Sequence, residues 1–125
     1  MTDSLSQKIY DIIQPTLPDG WVKIVLFTAF MQESCEIKYF VKGSAEIKFR
    51  DCFEIVDNHI VLFKILSDLR DVISEERNKK NKNEQWKFAT ITIDSEGNFE
   101  IFFDYSDSFW DDQEFFIQWS NNFLR

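Results

Sequence analysis

The chain has 125 residues, enough for one domain spanning residues 1–125 and too few for two, and a domain of this size buries roughly two thirds of the surface its unfolded form exposes. A formal net charge of −8 argues against nucleic acid and membrane phosphate as partners, and no stretch approaches the roughly 20 apolar residues that span a bilayer. The N-terminus, MTDSLSQKIYDIIQ, has no basic region followed by an apolar run, so the expectation is a soluble, uncleaved, cytoplasmic protein.

Residues 4–14 place Leu5, Ile9, Ile12 and Ile13 at helical spacing behind a Ser4-x-x-Gln7 capping box, and Pro15 ends this first helix. After PTLPDG, the run WVKIVLFTAFM at 21–31 is β-branched and aromatic and too poorly phased for a helix. It reads as a strand covered on both faces. In CEIKYFVK, 35–42, Cys35, Ile37, Tyr39 and Val41 alternate with mostly polar neighbours. Gly43-Ser44 then turns the chain into a third strand, AEIKFR, 45–50, which completes an antiparallel meander.

Across 58–79 the period changes, and Val61, Leu62, Ile65, Leu66, Leu69, Val72 and Ile73 form an apolar stripe behind an Asp57 or Asn58 cap, which predicts a long helix lying across the sheet. The basic segment NKKNKNEQ, 78–85, reads as a solvated loop after that helix, where cations favour the C-terminal dipole. A second hairpin follows. A three-residue loop Ser95-Glu96-Gly97, with Gly97 left-handed, pairs Asp94 with Asn98 and Ile93 with Phe99.

By parity Ala89, Ile91 and Ile93 then share a face with Phe99, Ile101, Phe103 and Tyr105. Trp86, Phe88, Thr90 and Thr92 fall opposite with Glu100, Phe102 and Asp104, on a half-polar face open to solvent. Ser108-Phe109-Trp110-Asp111 forms a capping box for a last helix in which Phe115, Trp119 and Phe123 recur every four residues toward the core. The fold class predicted is α+β: a single domain with an antiparallel five-stranded sheet in α-β-β-β-α-β-β-α order and helices packed on it.

The usual catalytic constellations are missing from the sequence. Three glycines and one histidine leave no nucleophile elbow, phosphate-cradling loop or dinucleotide fingerprint, and His59 sits at the expected cap of the long helix. Cys35 and Cys52 match no zinc or redox spacing and read as reduced residues in or beside strands. DSEGNFE, 94–100, alternates acids like a calcium loop but has its glycine at the fourth position instead of the sixth, so the turn reading prevails. No cofactor and no metal are expected.

Charge is concentrated at the C-terminus. Residues 94–125 carry 8 acids (Asp94, Glu96, Glu100, Asp104, Asp107, Asp111, Asp112 and Glu114) against a single base, Arg125. Within FFDYSDSFWDDQEFFIQW, 102–119, Asp111, Asp112 and Glu114 fit the first turn of the last helix, where each gains roughly 0.3–1 kcal/mol from the helix dipole. That account leaves Asp104 and Asp107 unexplained. Phe109 and Trp110, adjacent in a polar stretch, cannot easily both be buried on one side.

LPDGWVKIVLFTAF and EQWKFATITIDSEGNFEIFFDYSD, the latter with the pattern W-x(12)-F-x-I-x-F-x-Y-x-D from Trp86 to Asp107, resemble the YezG-type immunity or antitoxin family over most of residues 5–107. The resemblance implies an inhibitor that binds and neutralises a nuclease toxin delivered between bacteria, and it brings no catalytic residues. Nuclease domains bind phosphate and are usually basic, so carboxylates interleaved with aromatics would supply both steering charge and anchoring area.

The expectation is therefore a non-enzymatic, monomeric immunity protein that meets a cognate toxin through Asp104, Asp107, Asp111, Asp112 and Glu114 as charge partners and Phe109 and Trp110 as anchors. Two other readings use the same residues differently: a small metal-dependent enzyme built on those carboxylates, and a housekeeping interaction module or homodimer joined through Trp86, Phe88 and Phe102.

Overall fold

A computed structural model describes residues 2–30, 35–81, 85–104 and 113–124. Its centre is strand β1 (Trp21–Phe30), whose Ile24, Leu26 and Phe30 point to one side and Val25, Phe27 and Ala29 to the other, all of them buried. A strand apolar on both faces needs two covers, and the rest of the chain supplies them. β2 (Cys35–Gly43) and β4 (Phe88–Asp94) pair with β1 on either side, and β3 (Arg50–Asp51) and β5 (Phe99–Asp104) complete an antiparallel sheet in the order β3-β2-β1-β4-β5.

The first cover is α1 (Thr2–Ile13) with α3 (His59–Asn78). Leu5, Ile9 and Ile13 of the one and Leu62, Ile65, Leu69 and Ile73 of the other close over Ile24, Leu26, Tyr39, Val41 and Ile91. Each such aliphatic side chain contributes about 1.5–3 kcal/mol when fully buried. α3 starts at Asn58, whose Oδ1 accepts the N–H groups of Ile60 (3.0 Å) and Val61 (3.3 Å), two of the donors a helix start leaves unsatisfied. Pro15 ends α1 by opening a single 3₁₀ turn, Gln14–Thr16. There the Thr16 hydroxyl donates to Ile13 O (2.8 Å), which leaves it to accept from the buried Tyr39 hydroxyl at 2.9 Å.

The second cover is α4 (Gln113–Phe123), which places Trp119 against Val25, Phe27, Ala29, Phe40 and Phe88. The hairpin face expected to be open to solvent is thus closed at its centre, and Thr90 is buried with it.

Three further expectations are corrected. The third strand is not 45–50 but Arg50–Asp51: the chain turns at Gly43–Glu46, Glu46 Oε1 accepts Gly43 N–H (2.9 Å), and Ile47 stands 87 % exposed. Asp51 then caps a short helix, α2 (Cys52–Ile55), in a capping box with Glu54. Val61, assigned to the buried stripe of α3, is exposed at the helix start.

Trp86 moves to the opposite face. Lys87 N–H donates to Asp104 O (3.0 Å) although Asp104 is already the register partner of Phe88, so two residues of one strand face one of the other. This bulge resets the alternation, and Trp86 lands among the α1/α3-side residues, edge-on to Phe30 at 5.2 Å. The composite surface Trp86–Phe88–Phe102 expected for a homodimer is therefore not formed: Trp86 is on one face, and Phe88 is buried on the other.

Candidate protein-binding surface

The β4–β5 hairpin carries the described part of the acidic region, and its turn is built by Asp94. One carboxylate oxygen accepts the N–H groups of Glu96 (3.0 Å) and Asn98 (2.9 Å), and the other accepts the Asn98 side-chain amide (2.8 Å). These bonds, those from Asn98 foremost, hold the Asp94 carboxyl below the usual carboxylate range. Gly97 closes the turn at φ 91°, with its N–H on Asp94 O at 3.1 Å. Asp94 and Asn98 are thus spent on the turn, as the hairpin reading expects, and the register Ile93–Phe99 follows.

The far end of the hairpin is fixed by α4. The indole N–H of Trp119 donates to Thr90 Oγ1 at 2.8 Å in a buried setting, and the ring meets Phe27 at 4.9 Å, Phe40 at 5.6 Å and Phe123 at 5.7 Å. Phe123 in turn contacts Phe102 at 5.4 Å. A polar-and-aromatic cavity of about 280 Å³ lies in this corner, lined by Phe88, Thr90, Phe102, Asp104, Trp119 and Phe123 among others.

β5 alternates between two kinds of surface. Glu100, Phe102 and Asp104 share the α4-side face and are exposed, Phe102 by 44 %. Phe99, Ile101 and Phe103 share the other face and border an apolar cavity of about 400 Å³ that also touches Ile73, Trp86, Ile91, Glu76 and Lys80. Phe103 is 47 % exposed there and packs on Trp86 at 5.6 Å. Between Lys87 and Arg125 the sequence holds no Lys or Arg.

Of the residues singled out from sequence, Asp104 is described: it ends β5, exposed, with its carbonyl holding the bulge. Asp107, Phe109, Trp110, Asp111 and Asp112 lie outside the described residues, as does the capping box at Ser108. Glu114 falls on the backbone of α4, its side chain outside the description. Phe115 is likewise on the backbone of α4 with its side chain outside the description, and Tyr105 and Arg125 lie outside it altogether. Among the described residues no group of three or more His, Cys, Asp and Glu side chains could hold a metal ion.

His59 is exposed and stands between the rings of Phe53 (5.9 Å) and Phe63 (6.3 Å). Burial pushes both thiols, Cys35 and Cys52, up to about 11, so neither is a thiolate nucleophile at neutral pH.

A second surface escaped the sequence reading. Around α2 and the start of α3, Ile60 is 81 % and Phe63 59 % exposed, beside Phe53 and Val61. Their signal was available: Ile60 and Phe63 lie three apart, off the buried stripe of α3, where a solvated helix face would carry polar residues.

The chain matches the family model of the YezG-like immunity proteins over residues 2–122. The chain belongs to that family. It is also similar to the Immunity protein YezG of Bacillus spizizenii, 26 % identical over 109 residues that cover 82 % of this chain and 68 % of that protein. The Immunity protein YezG of Bacillus subtilis gives 26 % over 109 residues, 82 % of this chain and 70 % of that protein. The segments that carried the resemblance, residues 17–30 and 84–107, fall within the matched range and hold β1, β4 and β5. No helix among the described residues is long and apolar enough to cross a membrane.

Proposed function

We propose that this YezG-like protein is an immunity protein that neutralises a toxin by binding it, that the toxin is a basic nuclease, and that the contact is made by the acidic and aromatic surface at the end of β5 and the following segment. Membership of the YezG-like immunity family over residues 2–122 carries the first part. The charge carries the rest. Asp104, Asp107, Asp111, Asp112 and Glu114 occur in eleven positions without a base between them, with Phe109 and Trp110 in the same stretch as apolar anchors. Such a surface speeds encounter with a cationic partner and rejects acidic ones. The protein acts by occupancy, without catalysis, and its partner is neither nucleic acid nor membrane. It works in the cytoplasm, as a monomer until it meets the toxin.

Co-expression tests the role. The neighbouring gene of the same locus is expressed in a sensitive bacterium with and without this chain, and survival that depends on this chain and is not reproduced by an unrelated acidic protein is the expected result. A neighbour that is harmless, or that kills regardless, would refute it. The surface is tested separately by changing Asp107, Asp111 and Asp112 to lysine: the fold holds, association slows, and its salt dependence flattens. Unaltered kinetics would remove the acidic segment from the interface.

The exposed Phe53, Ile60 and Phe63 favour a second reading, an interaction module with another partner or with itself. Light scattering discriminates, since a concentration-dependent dimer abolished by Phe63→Ser would place self-association there.

A further inference from the structure

The two edges of the sheet are not alike. At one, β3 pairs over two residues only, and the Asp51 capping box turns the chain at once into α2. At the other, β5 runs for six residues, FEIFFD, with β4 on one side and no strand beyond it among the described residues. Asp94 N–H donates to Asn98 O, so along the antiparallel ladder the pairs Thr92–Glu100 and Thr90–Phe102 exchange bonds. Phe99, Ile101 and Phe103 therefore direct their N–H and C=O groups away from β4. Edge strands are commonly blunted by lysine, proline or a short length, and β5 has none of these devices.

We infer that β5 takes an added antiparallel strand from the partner, one that alternates basic and apolar residues. This rests on the reading of the protein as a toxin binder and specifies its mode. Side chains of an added strand fall alternately on the two faces of the sheet. On the α4 side they meet Glu100, Phe102 and Asp104, which suit lysine or arginine through charge and through the aromatic ring. On the other side they meet Ile101 and Phe103 at the mouth of the 400 Å³ cavity, which suits small aliphatic residues. A second copy of this chain is a poor occupant, because joining two β5 edges puts two Glu100 and two Asp104 carboxylates on one face of the ladder. An acidic strand fails for the same reason.

The register makes a sharp prediction about the backbone. In an antiparallel ladder, directly opposed residues share a face, so the residues whose N–H groups meet Phe99, Ile101 and Phe103 are the apolar ones. The probe is an acetylated, amidated peptide, Lys-Val-Lys-Val-Lys-Val-Lys, added to the full chain while amide exchange is followed residue by residue by NMR. At a peptide concentration ten times its Kd, the Phe99, Ile101 and Phe103 amides exchange about tenfold more slowly. Methylating the valine nitrogens of the peptide abolishes this protection, whereas methylating the lysine nitrogens spares it, and the Glu-for-Lys peptide gives none. No protection of these three amides, equal protection by the glutamate peptide, or indifference to valine methylation would overturn strand addition. Because the co-expression test reads survival wherever the toxin docks, rescue without protection would leave immunity standing and remove this mode.

Discussion

Trp119 fastens α4 to the sheet, and a double-mutant cycle with Thr90 measures how. The indole N–H on Thr90 Oγ1, at 2.8 Å and buried, should be worth about 0.5–1.5 kcal/mol as a net hydrogen bond, while stranding either partner alone costs about 1–3 kcal/mol. Trp119→Phe breaks the bond, strands the Thr90 hydroxyl and leaves a void of a few tens of Å³ worth about 1 kcal/mol, so the expected loss is about 2–4 kcal/mol. Thr90→Val keeps the shape, strands the indole N–H and should cost about 1–3 kcal/mol. With both changes no polar group is left unpaired, and the double variant should be less damaged than the sum by about 1–2 kcal/mol. Urea denaturation followed by far-UV circular dichroism gives each value. Costs that add to within about 0.3 kcal/mol would show that the bond contributes nothing beyond packing of the ring on Phe27 and Phe40. If α4 instead unlatched on its own, the denaturant slope would fall along with the midpoint.

Two predictions concern titratable groups. Asp94 has a depressed carboxyl pKa in the fold because Asn98 donates to it, so its stabilisation is complete above the unfolded pKa and is lost as pH falls through the folded one; Asn98→Ala should raise the Asp94 pKa in an NMR titration and shrink the acid-side loss of stability. An unmoved Asp94 would assign the shift to another source. With both thiols raised to about 11 by burial, iodoacetamide at neutral pH should modify native Cys35 and Cys52 far more slowly than the unfolded chain, and rapid alkylation of either would contradict that burial.

The elements with strong periodicity were legible. β1 as a doubly buried strand, α3 with a cap at Asp57 or Asn58, of which the structure uses Asn58, and the Asp94–Asn98 turn with Gly97 left-handed all follow from residue types whose local chemistry agrees with the fold. What escaped depends on events between elements. A bulge at Lys87 needs no glycine and leaves no mark in the sequence, yet it carries Trp86 across the sheet. AEIKFR alternates like a strand, but β2 offers it only two pairing positions before Asp51 finds its capping partner. The face of Phe88 and Thr90 looked half polar because the covering Trp119 lies 29 residues from its Thr90 partner, a distance no local pattern spans. Of the candidate surface, the sequence picked out Asp104 and the charge asymmetry, and it passed over Ile60 and Phe63.

At this end of the molecule the groups that hold the fold together differ from the side chains proposed for recognition. Before the acidic segment, Asp104 is tied into the sheet through its carbonyl and its pairing with Phe88; after it, Trp119 is buried and bonded to Thr90. The carboxylates and rings proposed to meet the toxin lie between these two fastenings. A partner that binds there does not have to order the strand or the helix that flank its contact, which lowers the entropic cost of association. It follows that the two kinds of substitution should separate. Lysines at 107, 111 and 112 should alter association kinetics with little change in the urea midpoint, whereas Trp119→Phe should lower the midpoint and weaken binding only as far as the folded fraction falls. A Trp119 variant that remained fully folded yet lost binding would mean that the helix itself forms part of the interface.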